Sequence, residues 1–104
     1  MPEMQKQVKD FQDQHNMHLP PAIRMIDIQS EVGELSKEVL LSDDYGTKEW
    51  TPTKDLGSEL GDVVFSLFAL ANSLDINIEQ ELTGVLNKYK KRFAKGGNAG
   101  SDND

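Results

Sequence analysis

Two pairs of acidic residues could do chemistry in this sequence: Glu31-Val-Gly-Glu34 and Glu59-Leu-Gly-Asp62. Each is an acid-x-x-acid unit inside a stretch with helical periodicity, and residues three apart share a helix face. Each pair therefore points two carboxylates the same way. A spacer of 24 residues, positions 35–58, separates Glu34 from Glu59. If the two helices are antiparallel neighbours, four acidic side chains converge on one spot. Like charges held together repel unless a cation neutralises them. Hard divalent cations such as Mg²⁺ take oxygen ligands and work with phosphates. The pattern points first to a metal-dependent enzyme acting on phosphate. The competing reading is a pair of solvated acidic helix faces, and spacing alone leaves both open. The absence of E-x-x-H from both pairs argues against a histidine-bearing di-iron site.

The charge distribution supports the first reading. From Asp27 to Asp62 there are ten acids against three lysines, whereas Lys88–Lys95 holds five basic residues and no acid. An acidic centre followed by a basic segment suits a ligand carrying both metal and phosphate. Lys88 and Arg92, four apart, share a helix face and are candidate phosphate contacts, with Lys91 a weaker one. Their alternative is a solvated helix end, where cations suit the dipole. Asn87 is a candidate for a sugar or base contact.

These groups need helices to position them. A polar first helix is predicted over Glu3–Asn16, with a thin apolar stripe of Met4, Val8 and Phe11. Pro20-Pro21 breaks it and opens a second helix to Leu41, since proline is tolerated in a first turn. Its apolar stripe is Met25, Ile28, Val32, Leu35 and Val39, and the acidic stripe Asp27, Glu31, Glu34, Glu38 runs beside it. Gly33 leaves room for a close approach by a ligand or a neighbouring helix. Residues 42–53 form a polar loop carrying Tyr45 and the single tryptophan, Trp50. A third helix over Lys54–Leu74 becomes apolar nearly all round from Val63 to Ala71, and such a helix must be buried on several sides. Phe65 and Phe68 are read as core. Asn77 and Gln80 form a capping box for a fourth helix ending near Ala94.

The chain has 104 residues, a net charge of −7 and no cysteine. Its length fits one domain, assigned to residues 1–95, with 96–104 as a disordered tail. The acidic balance argues against nucleic-acid binding. Cysteine is absent, so disulfides and thiolate metal sites are excluded. With no spanning segment or leader pattern, neither membrane association nor export is expected, and a cytoplasmic protein is the default. The apolar third helix in so small a chain predicts a dimer or a dimer of dimers.

The acidic pairs and their context resemble the MazG-like all-α nucleoside triphosphate pyrophosphohydrolases, relatives of the dimeric dUTPases. The resemblance rests on Glu31-Val-Gly-Glu-Leu35, Glu59-Leu-Gly-Asp-Val-Val64, Ala71-Asn-Ser-Leu-Asp-Ile-Asn77 and Asn87-Lys-Tyr-Lys-Lys-Arg92, and covers residues 8–93. It implies an all-α, four-helix bundle-like MazG fold, oligomeric. It implies that Glu31, Glu34, Glu59 and Asp62 bind Mg²⁺, with Mn²⁺ as a substitute. The implied reaction is hydrolysis of a nucleoside triphosphate, a dNTP or a non-standard NTP, to the monophosphate and pyrophosphate. Glu34 and Glu38 are the candidate general bases. Glu38 also fits a group that positions water, or a plain surface acid. His18 stands where some pyrimidine-specific relatives place a histidine near the nucleotide, though a histidine beside a turn is also commonly structural. Trp50 could stack on a base or pack on its own bundle. The rival to an enzyme is a catalytically silent helical interaction module.

Overall fold

Proline, aspartate and asparagine set the breaks between helices. In the computed structural model, which describes residues 3–96, four helices follow one another: α1 (Glu3–Gln14), α2 (Pro21–Leu41), α3 (Leu56–Ser73) and α4 (Ile78–Ala94). Among the described residues there is no strand. Pro20 occupies the N-cap of α2 and Pro21 its first turn, where a missing N–H costs nothing. Asp75 adopts a left-handed φ of 55° after α3, so that the Ile76 N–H turns back to the Ala71 carbonyl at 2.9 Å. Aspartate tolerates that conformation better than a branched residue would. The Asn77 side chain then accepts the Gln80 N–H at 3.1 Å and starts α4.

α3 is the central element, packed against α2 on one side and α1 on the other. The apolar core is small: Val8, Ile28, Val63, Ala69 and Ala71. Phe65 is half-buried and meets Phe11 edge-on, with ring centroids 6.2 Å apart.

The buried face of α1 differs from the expected stripe. Gln5 and Gln12, 1% and 2% exposed, flank Val8, whereas Met4 is exposed and Phe11 is only partly covered, at its contact with Phe65. The Gln5 amide donates to Asn72 Oδ1 (3.0 Å) and to the Ile76 carbonyl (2.6 Å), and its oxygen accepts the Ile78 N–H (3.0 Å). Asn72 in turn donates to Gln12 Oε1 at 3.1 Å. A glutamine is tolerated inside only when its polar atoms are paired, and here they fasten α1 to the corner between α3 and α4.

α4 departs from that corner with the helix axis turning by 104°, and none of its residues is fully buried. Leu82, Leu86 and Phe93 lie exposed along it, as do Leu60, Val64 and Leu67 on α3 and Met25, Val32 and Val39 on α2. The radius of gyration is 17.0 Å, against about 13 Å for a compact domain of this length. The four helices therefore do not close a bundle within one chain. The expected disordered tail lies, from residue 97 on, outside the described residues. Among those described, no single helix is long and apolar enough to cross a membrane.

Candidate metal centre

α2 and α3 form a helical hairpin whose register can be read from side-chain pairs. Glu38 meets Thr53 (Thr53 Oγ1 to Glu38 Oε1, 2.8 Å). One turn back on α2, Glu34 meets Glu59, and another turn back Glu31 feels the charge of Asp62. Stepping backward along α2 steps forward along α3, as an antiparallel pair requires. This register brings the two acid pairs together. Carboxylate oxygens of Glu31, Glu34 and Glu59 all lie within 4.8 Å of one another. Asp62 is exposed and stands outside that group, yet its charge acts on both Glu31 and Glu59.

Glu31 Oε2 and Glu59 Oε2 are buried, and neither has a hydrogen-bond partner among the described residues. Burial raises the Glu31 carboxyl above its ordinary value, and the charges of Glu34, Asp62 and Asp27 add to the shift. Burial likewise raises Glu59, reinforced by the charges of Glu34 and Asp62 and by a hydrogen bond with Glu34. Buried anionic oxygens that find no donor fit a cation, and an all-carboxylate donor set fits a hard one. Gly33 and Gly61, inside the two pairs, have nothing within 4 Å of where a Cβ would stand. No helix of the same chain uses the close approach that Gly33 would allow.

The shifts fix a pH dependence. Around the ordinary carboxylate value of 4.5, the unfolded chain releases these protons while the folded chain keeps them. Because the folded state then binds more protons, stability falls as pH rises through that window. Metal-free protein should therefore lose melting temperature from about pH 4.5 upward, and Mg²⁺ should restore it at neutral pH but not at pH 4. Calorimetry across pH with chelator or Mg²⁺ checks this. A metal-free profile unchanged in the Glu31→Gln, Glu59→Gln double variant would contradict it.

The remaining candidates are dispersed. His18 is exposed and pairs with Asp13 at the end of α1. Asp13 is held below its ordinary value by its hydrogen bonds to Lys9 and His18. Lys88 Nζ and the Arg92 guanidinium flank the Tyr89 ring, 5.9 and 5.6 Å from its centroid, a cation–π arrangement that orients both cations. Asn87 and Lys91 are exposed on the same helix. Trp50 stands 52% exposed in the loop between α2 and α3. The charge of Asp27 on Glu31 has a sequence signal, the acidic stripe along α2. Thr53 has none, because a loop threonine is silent until its partner is known.

Residues 24–96 match the MazG nucleotide pyrophosphohydrolase domain. The chain belongs to the MazG family. As a MazG protein it is an enzyme of the nucleotide pyrophosphohydrolase class. It is 38% identical over 78 residues to YpjD of Bacillus subtilis (strain 168), spanning 72% of this chain and 68% of that one. Its fold matches the crystal structure of YpjD with a TM-score of 0.72 and 36% identity, over 88% of this chain and 94% of the other. It also matches the Bacillus-conserved MazG protein, a nucleotide pyrophosphohydrolase, with a TM-score of 0.70 and 34% identity, over 84% and 85% of the two chains. The MazG match spans both acid pairs and the basic segment of α4.

Proposed function

We propose that this MazG protein hydrolyses a nucleoside triphosphate, a dNTP or non-standard NTP, to the monophosphate and pyrophosphate with Mg²⁺, Mn²⁺ being an effective substitute. The observation that carries this reading is the Glu31–Glu34–Glu59 cluster with its two buried, unpaired carboxylate oxygens. A plain interaction module has no use for that arrangement, which only destabilises the fold unless a cation binds.

Glu31, Glu34, Glu59 and Asp62 are the groups that would hold the ion. Bound Mg²⁺ supplies neutralisation of phosphoryl charge and a lowered pKa for water. Glu34, the exposed member of the cluster, accepts the proton of the attacking water as the bond between the α- and β-phosphates breaks. Lys88 and Arg92 neutralise the departing pyrophosphate, with Lys91 beside them. His18, anchored by Asp13, and Trp50 and Asn87 meet the base and sugar.

Two copies complete this site. Glu59 lies 14 residues before the end of α3, and Lys88 lies 10 residues into α4. With the axes turned by 104° and 1.5 Å per residue, the two stand on the order of 20 Å apart. A single chain thus holds the acidic and basic groups well apart, and a second copy can bring its own α4 closer to the carboxylates. A second copy also covers the exposed apolar rows of α3 and α4 and the groove of about 380 Å³ that Met4, Phe68, Ile78 and Leu82 help line. Contiguous apolar surface of this kind marks an interaction site.

The decisive experiment is a panel of canonical and modified (d)NTPs with Mg²⁺ or Mn²⁺, scored for pyrophosphate and monophosphate. The expected result is stoichiometric release of both from at least one member. No pyrophosphate from any of them, together with no effect of metal and nucleotide on melting, would favour the interaction module.

A further inference from the structure

The loop between α2 and α3 is built in two halves. Its first half folds on itself: Asp43 Oδ1 accepts the Gly46 N–H at 2.9 Å, and the Lys48 N–H returns to the Asp43 carbonyl at 2.9 Å. This turn places Asp44, Tyr45 and Gly46 at φ of 50°, 59° and 84°, a run of left-handed residues that is disfavoured unless its ends are held. The second half, Glu49-Trp50-Thr51-Pro52, is tied instead to the end of α2. The Thr51 N–H donates to the Ser42 carbonyl at 2.7 Å, and the Thr53 N–H to Ser42 Oγ at 3.2 Å. Ser42 is 3% exposed, and its hydroxyl also donates to the Glu38 carbonyl at 2.8 Å. The Thr53 hydroxyl closes the ring on Glu38 Oε1 at 2.8 Å.

We propose that Thr53 and Glu38 form a latch that fixes the segment carrying Trp50, so that Thr53 is a positioning residue for the nucleobase end of the substrate. This rests on the reading that Trp50 meets the base. It gives Glu38 a purpose other than proton transfer: the oxygen that Thr53 holds is turned toward the loop, one helical turn from Glu34. The hydroxyl-to-carboxylate bond is charge-assisted and stronger than a neutral one. Without it, Trp50 is left with the Thr51 and Ser42 ties alone, and the base loses a preorganised surface.

Trp50 is the single tryptophan of the chain, so its fluorescence reports the latch without a label and without turnover. Thr53→Val removes the hydroxyl and keeps both shape and the backbone tie to Ser42. In this variant we expect at least a twofold rise in acrylamide quenching of Trp50 and lower anisotropy. We also expect KM for the best triphosphate to rise about tenfold with kcat within about threefold, as loss of ground-state positioning requires. Thr53→Ser, which keeps the hydroxyl, should restore all three. Glu38→Gln, whose amide oxygen still accepts from Thr53, should keep wild-type quenching, whereas Glu38→Leu should match Thr53→Val. Wild-type quenching and anisotropy in Thr53→Val would overturn the latch. A fall in kcat with KM unmoved would overturn its assignment to the base end and place Thr53 behind the reacting water. If no triphosphate is turned over, the function above fails, and the Trp50 measurements still decide whether the latch exists.

Discussion

Replacing Glu34 or Glu59 by glutamine is expected to lower kcat for pyrophosphate release by about 100- to 1000-fold, the range typical of losing one group that stabilises the transition state electrostatically. The same variants should melt at a higher temperature than wild type when metal is absent. Both effects have one cause. The Glu59 carboxyl is pushed up by burial and by the charges of Glu34 and Asp62. A glutamine at either position keeps the shape, removes one negative charge and eases the repulsion among the remaining carboxylates. The gain in metal-free stability is the counterpart of lost function, as at many sites built around strained or unpaired groups. Steady-state pyrophosphate release and calorimetry in chelator check the two halves together. Lost activity with lowered metal-free stability would mean that the cluster is a structural network. Retained activity would remove these residues from the site.

Two inactive variants should restore each other. Protein with Glu59→Gln has a broken acidic cluster, and protein with Lys88→Ala and Arg92→Ala lacks the proposed phosphate contacts. Each alone is expected to be nearly inactive. Co-expressed, they should form mixed dimers in which one of the two sites is intact if, as proposed, α4 of one copy serves the acidic cluster of the other. Random pairing into a symmetric dimer gives roughly a quarter of the wild-type specific activity. The expectation rests on the 104° turn between α3 and α4 and on the helix lengths, which separate the acidic and basic groups of one chain. Recovery no greater than the sum of the separate variants, with mixed oligomers confirmed by native mass spectrometry, would show that α4 acts on its own chain.

Much of the molecule was legible because its signals are local. Pro21 and Asn77 mark the starts of α2 and α4 through backbone chemistry that needs no tertiary contact. The predicted third helix began at Lys54, and the structure begins α3 at Leu56, a difference within ordinary end fraying. The acid pairs were legible for the same reason: residues three apart on a helix share a face wherever the helix goes.

The buried face of α1 was not legible. Met4, Val8 and Phe11 look like an inward stripe, but the helix is rotated so that Gln5 and Gln12 are inside. Only the waiting partners, Asn72, Ile76 and Ile78, make that burial affordable, and they lie at the other end of the sequence. Glu38 was ambiguous for the same reason. Its spacing from Glu34 suggested a base or a surface acid, and the hydrogen bond from Thr53 depends on how the loop returns.

By itself, the sequence determined four helices, two pairs of carboxylates each on one helix face, and a basic final helix. Hydrophobic period, caps and i, i+3 spacing are properties of a single element. The tertiary structure decided the register of α2 against α3, which brings Glu31, Glu34 and Glu59 within 4.8 Å and leaves Asp62 at their edge. It decided the direction of α4, whose axis turns by 104° from that of α3. Register and crossing direction come from side chains distant in sequence fitting against each other, and no periodicity along one helix encodes that fit.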